Sequence, residues 1–157
     1  MNIVMASDHA GFELKTTLVE TVKGLGHTVI DVGTDSTEPV DYPDFAVRLA
    51  AEILAGRAER GILLCGSGIG ASVAANKIPG IRAGNCEDYY SAHQGVEHDD
   101  MNVLVLGGRI IGPMPAIEMC GAFLGARFTG EPRHERRLEK VRAIERDPAA
   151  VLGSISR

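Results

Sequence analysis

Cys65 closes an apolar run, Ile62-Leu63-Leu64, and is followed at once by Gly66, Gly68 and Gly70, which alternate with Ser67 and Ile69. Ala71, Ser72, Val73, Ala74 and Ala75 then supply small, helix-compatible side chains. This order suits a buried strand, a tight glycine loop and the first turns of a helix. Such a loop aims several backbone N–H groups at one point, and the helix start adds partial positive charge. The expected chemistry is an oxyanion site with a thiol at its lip. There the thiol pKa should fall, so that a thiolate can act as base or nucleophile. Other glycine loops fit less well. The spacing of Gly66, Gly68 and Gly70 is not G-x-G-x-x-G, no Gly-Lys-Ser/Thr follows, and Ala71 stands where a cysteine phosphatase needs arginine. A structural turn with an inert, buried cysteine is the plain alternative.

Asp8 and His9 follow another apolar run, Ile3-Val4-Met5. They suit a hydrogen-bonding pair at substrate hydroxyls, or Asp8 serves only as a helix N-cap. His98 lies in a charged segment, Val96-Glu97-His98-Asp99-Asp100, read as a loop before the last strand. Asp8, His9, His98, Asp99 and Asp100 lack the local spacing of metal ligands, so no metal is expected. Arg133-His134-Glu135-Arg136-Arg137 is the densest basic cluster. Arg133, His134 and Arg137 are expected on one helical face, where arginine forks suit phosphate oxygens. A solvated helix with Glu131, Glu135 and Glu139 as partners is the alternative. Arg109 is a second phosphate candidate.

These residues need elements to carry them, and strand and helix patterns alternate along the chain. Strands are expected at residues 3–5, 28–32, 61–65, 81–85 and 103–106. Helices are expected between them, with the fourth over residues 88–95. A charged last helix is expected from about Arg133 to Arg146. The fold class is α/β: a Rossmann-like three-layer sandwich, with a five-stranded parallel sheet and helices on both faces. Ligands in such sheets bind beyond the carboxyl ends of the strands, where Asp8, Cys65 and Arg109 fall. Residues 1–150 read as one domain and residues 151–157 as a loose tail. The 157 residues are 45% hydrophobic, which suits one ordered domain with a real core. A net charge of −5 gives no general attraction to nucleic acid or anionic membrane. The cysteines, Cys65, Cys86 and Cys120, form no C-x-x-C pair and are odd in number, which argues against a disulfide framework. With no leader and no membrane-length apolar run, a cytoplasmic enzyme is expected.

Asp8-His9-Ala10-Gly11, the stretch from Cys65 to Gly70 with Ala75-Asn76-Lys77, Glu97-His98, Gly107-x-Arg109 and Arg133-His134-x-x-Arg137 occur in one order along the chain. Together they resemble type B ribose-5-phosphate isomerase and the wider family that includes galactose-6-phosphate isomerase subunits. The resemblance implies an aldose–ketose isomerase that forms an enediolate without metal or cofactor. It implies Cys65 as the base, with Gly66, Ser67, Gly68, Ile69 and Gly70 holding the enediolate oxygen. His98 and Asp8 would open the sugar ring. His9, Tyr42 and Asp99 would contact the sugar, and Arg109, Arg133, His134 and Arg137 its phosphate. It also implies a homodimer or tetramer with shared active sites, and no nucleic-acid or membrane partner. Members acting on ribose 5-phosphate usually carry Asn after the histidine, where this chain has Asp99. That difference keeps four-carbon and six-carbon phosphates open beside ribose 5-phosphate. A non-catalytic sugar-phosphate or nucleotide-binding module is the reading from another class, and a cysteine hydrolase a third.

Overall fold

The computed structural model describes residues 1–154. The chain runs β1 (Asn2–Ser7), α1 (Phe12–Gly24), β2 (Thr28–Asp31), α2 (Tyr42–Leu54), β3 (Arg60–Cys65), α3 (Ile69–Ala75), β4 (Ala83–Asn85), α4 (Tyr89–Asp99), β5 (Val103–Gly107), α5 (Pro113–Gly125), α6 (Pro132–Arg146) and α7 (Pro148–Gly153). All pairings in the sheet are parallel, and its order is β2-β1-β3-β5-β4. The three central strands are apolar on both faces, as a covered parallel sheet requires. Side chains alternate between the faces. Ile3, Met5, Ile62, Leu64, Leu104 and Leu106 join α1, α4 and α5 in one core. Val4, Ala6, Leu63, Val103 and Val105 join α2 and α3 in the other. The expected α/β sandwich is thus the observed one.

This topology decides what meets at the carboxyl edge. The chain leaves β1 outward to β2, then returns past β1 to β3, which opens a crevice between their ends. β5 inserts beside β3, with Ser7 paired to Leu64 and Cys65 to Gly107. The residues after β1, β3 and β5 therefore stand side by side.

Two features differ from the sequence expectation, and a third, Lys15, is one on which the sequence carried no expectation. α4 does not stop near Gly95 but runs to Asp99, so His98 is helical rather than in a loop. Gly95 is kept for packing: a Cβ there would lie 3.0 Å from the Met101 sulfur. The helix ends at Asp100, which takes a left-handed φ of 51° and donates its N–H to Val96 O. The expected loose tail is helical through Gly153, with the Asp147 carboxylate accepting from Ala150 N–H at its start. Residues 155–157 of that tail lie outside the described residues. Finally, Lys15 is 3% exposed. Its Nζ donates to both Asp31 oxygens (2.8 and 2.6 Å) and to Thr34 O (2.9 Å). This ties α1 to the loop after β2.

β4 is an edge strand. At Ala83 its outward groups are taken by one side chain: Asn76 Nδ2 donates to Ala83 O (2.8 Å) and Asn76 Oδ1 accepts from Ala83 N–H (2.9 Å).

Candidate active site

Cys65 ends β3 with 8% of its surface exposed, facing the crevice. Its thiol pKa lies above the ordinary cysteine value, not below it as the loop alone suggested. Burial is the main cause, and the hydrogen-bonded Asp8 carboxylate beside it adds to the rise. The N–H groups of Gly66 and Gly68 act the other way, toward thiolate. α3 is only seven residues long, so its dipole adds little to theirs. Cys86 and Cys120 are pushed up to about 11 and about 12 by burial, with no such donors against them. Among the three thiols, only Cys65 has groups built to receive its charge.

The loop that supplies those donors is held from several sides. Gly68 has φ +82°, a conformation that side chains rarely adopt. Gly108 N–H donates to Cys65 O (2.8 Å) and Arg109 N–H to Gly66 O (2.9 Å), so the turn after β5 clamps the loop. Ser67 is exposed, and its Oγ accepts from Ile69 N–H (3.3 Å). Gly70 lies under the Tyr42 ring, which is 39% exposed at the start of α2. The Arg109 side chain lies over Gly66, its Nη1 3.8 Å from where a Cβ on that residue would sit.

Asp8 is 4% exposed, and its Oδ1 accepts from Ala10 N–H (2.9 Å) and Gly11 N–H (3.0 Å). The cap position of α1 is Gly11, so Asp8 builds the preceding turn rather than the cap. The same carboxylate is hydrogen-bonded with the Cys65 thiol, and the N-cap reading of Asp8 does not hold. His9 Nδ1 accepts from Val40 N–H (3.2 Å), which leaves the proton of the neutral ring on Nε2.

The other candidates gather elsewhere. Arg82, just before β4, donates to the Asp100 carbonyl (2.7 Å) and carboxylate (2.7 Å), which places the end of α4 at the amino edge of the sheet. Cys65 is at the carboxyl edge, roughly 16 Å away by the rise of a six-residue strand such as β3. His98 and His134 stack there, with ring centroids 4.1 Å apart. Gln94 Nε2 donates to His98 Nδ1 (2.6 Å), so the neutral His98 ring carries its proton on Nε2. The Thr129 hydroxyl donates to Glu97 O (3.1 Å) and accepts from His134 Nδ1 (2.9 Å). His134 is 1% exposed and does not share the open face of Arg133 and Arg137. Desolvation, then His98 and Arg133, lower its pKa. Arg133 pairs with Glu131 (2.9 Å), and Arg137 makes no ion pair among the described residues. Asp99 is exposed at the helix end. One chain thus carries two groups of candidate residues: Asp8, His9, Tyr42, Cys65, Gly66, Ser67, Gly68, Ile69, Gly70 and Arg109 at one edge, and His98, Asp99, Arg133, His134 and Arg137 at the other. No cluster of three or more His, Cys, Asp or Glu side chains able to hold a metal occurs among the described residues. No helix among them is long and apolar enough to cross a membrane. Asn85 and Thr129 carried no signal in the sequence, because their partners become neighbours only in the fold, and Gln94 meets His98 at i,i+4 only because α4 continues past Gly95.

A doubly wound α/β fold with a thiol set against a backbone N–H cradle at its switch point defines an enzyme of covalent or proton-transfer chemistry. Its relatives narrow that class. The chain belongs to the Ribose/Galactose Isomerase family, whose model matches residues 3–141. It is 44% identical over 143 residues to ribose-5-phosphate isomerase B of Escherichia coli, covering 91% of this chain and 95% of that one. It is also 44% identical over 131 residues to D-erythrulose-4-phosphate isomerase of Pectobacterium atrosepticum, covering 83% and 86%. The structure of ribose-5-phosphate isomerase B from Clostridium thermocellum superposes with a TM-score of 0.92 at 43% identity, covering 95% of this chain and all of that one (100%).

Proposed function

We propose that this chain is an aldose–ketose isomerase of phosphorylated sugars that works through an enediolate. The observation that carries this is the Cys65 thiol between Asp8 and the N–H groups of Gly66 and Gly68. As thiolate, Cys65 removes the proton from C2 of the open-chain aldose. The charge moves onto the carbonyl oxygen, where the loop N–H groups and the Ser67 hydroxyl receive it. The proton then returns at C1, and the hydroxyl and carbonyl oxygens exchange one proton. Preorganised donors at a developing oxyanion supply the largest share of such catalysis. The step moves only protons, and the chain's own groups suffice for it. His98, with its Nε2–H, and Asp8 open the ring. Arg109, Arg133 and Arg137, with His134, hold the phosphate. The two groups of candidate residues lie at opposite edges of one chain and act as half-sites, so the complete site forms between copies, in a homodimer or tetramer.

Since burial and Asp8 hold the Cys65 thiol above its ordinary value, thiolate is the minor form near neutrality. kcat/KM is therefore expected to climb about tenfold per pH unit from about pH 6 to pH 8, since it reports the free enzyme. A profile already flat below about pH 7 would remove Cys65 as the base.

The substrate best supported is ribose 5-phosphate. Asp99 keeps four-carbon and six-carbon phosphates as alternatives, because a carboxylate accepts from a hydroxyl but cannot donate and repels a nearby phosphate. Initial rates on four-, five- and six-carbon aldose phosphates decide between them. Asp99→Asn is expected to move the ratio of kcat/KM values toward ribose 5-phosphate. An equal loss on all substrates would make Asp99 a bystander.

A further inference from the structure

Asn85 ends β4, and its backbone is fixed by the pairing with Val105 in β5. Its side chain leans across to the glycine loop. Nδ2 donates to Ser67 O at 3.5 Å, a long bond. Oδ1 is buried and has no partner among the described residues. That oxygen lies 2.1 Å from where a Cβ on Gly68 would sit, so the amide presses its oxygen end against this glycine. On the opposite side, Gly107 brings β5 against the same carbonyl: a Cβ there would be 2.8 Å from Ser67 O. The Ser67–Gly68 peptide is thus gripped at its oxygen, while its N–H end faces Cys65.

We propose that Asn85 is a positioning residue: by holding the Ser67 carbonyl it fixes the Ser67–Gly68 peptide so that the Gly68 N–H faces the Cys65 sulfur. Two physical effects follow. A hydrogen bond accepted at the carbonyl strengthens the N–H of the same peptide as a donor. The grip also prevents the plane from turning about the flexible glycine, which would swing the carbonyl oxygen toward the sulfur. The unpaired Oδ1 is a cost that an apolar side chain of similar size would not carry. An amide is therefore a poor choice for packing and a good one for orienting a peptide. The role in turnover rests on Cys65 being the base, but the effect on the thiol does not.

The test compares Asn85→Val with Asn85→Ala in the whole protein. Valine suits a strand and fills most of the space, alanine leaves it open, and both remove the donor. The readouts are the pH dependence of Cys65 alkylation by iodoacetamide, followed by peptide mass, and kcat/KM. Both variants should raise the thiol pKa by about half to one unit, which is about three- to tenfold less thiolate at fixed pH. kcat/KM should fall by the same factor. Asn85→Val should melt no lower than the parent, since the unpaired oxygen is gone. If the thiol titrates as in the parent, the proposal is overturned. It is also overturned if only alanine shifts it, because then volume and not the donor matters. A shifted thiol with unchanged kcat/KM would uphold the positioning and remove Cys65 as the base. Alanine, which adds no new contact, keeps the result readable if valine disturbs β4.

Discussion

Cys65→Ala is expected to lower kcat on the sugar phosphate by about 10²–10⁴-fold, the usual contribution of a positioned general base. The fold should survive. The thiol sits at the rim of one core, beside Ala6 and Ala71, and its loss leaves a gap no larger than one sulfur atom. Loss of such a small group typically costs about 1 kcal/mol, and the hydrogen bond between the thiol and the Asp8 carboxylate goes with it. Alanine also leaves the loop donors in place, so substrate should still bind. The informative result is a collapsed kcat with little change in the binding constant and in the melting temperature. Retention of more than about a tenth of parental turnover would mean that another group moves the proton.

The second large effect concerns assembly. Arg137→Ala removes an exposed arginine that makes no ion pair among the described residues, so stability should not change. Its contact with a phosphate is worth about 1.5–3 kcal/mol, which raises KM roughly ten- to hundredfold. At substrate concentrations well below the parental KM, Arg137→Ala should keep about a tenth or less of parental activity and Cys65→Ala about a hundredth or less. If the half-sites of two copies combine, a mixed dimer has one site with both lesions and one with neither. An equal mixture of the two variants, after subunit exchange, should regain about a quarter of parental activity. No recovery in exchanged mixtures would mean that each chain completes its own site.

The carboxyl-edge group was legible in the sequence because most of its residues sit directly after strands. An apolar run followed by Asp8-His9 or by Cys65 and glycines gives position and chemistry together. The amino-edge group was legible only as residue types. His98 was read as a loop residue because Gly95 resembles a helix stop, and only the packing of Met101 explains why the helix continues. His134 was placed with the arginines by its neighbours in sequence, but the ring turns inward to His98, which no local pattern encodes. The direction of the Cys65 shift was missed for a similar reason. A glycine loop announces donors, whereas the burial that raises the thiol, and the Asp8 carboxylate just after β1 that adds to it, come from other parts of the chain. Lys15 was hidden in an apolar helix face, and its partners lie 16 and 19 residues onward.

The amide of Asn76 has a consequence for solution behaviour. A sheet's bare margin is a template on which another extended chain can crystallise, and runaway growth of that kind ends in fibres. At Ala83 the template is already occupied, since one side chain mimics the incoming strand with both a donor and an acceptor. Copies of this protein cannot fuse their sheets through that residue. The β4 margin is thus closed to sheet growth at that point.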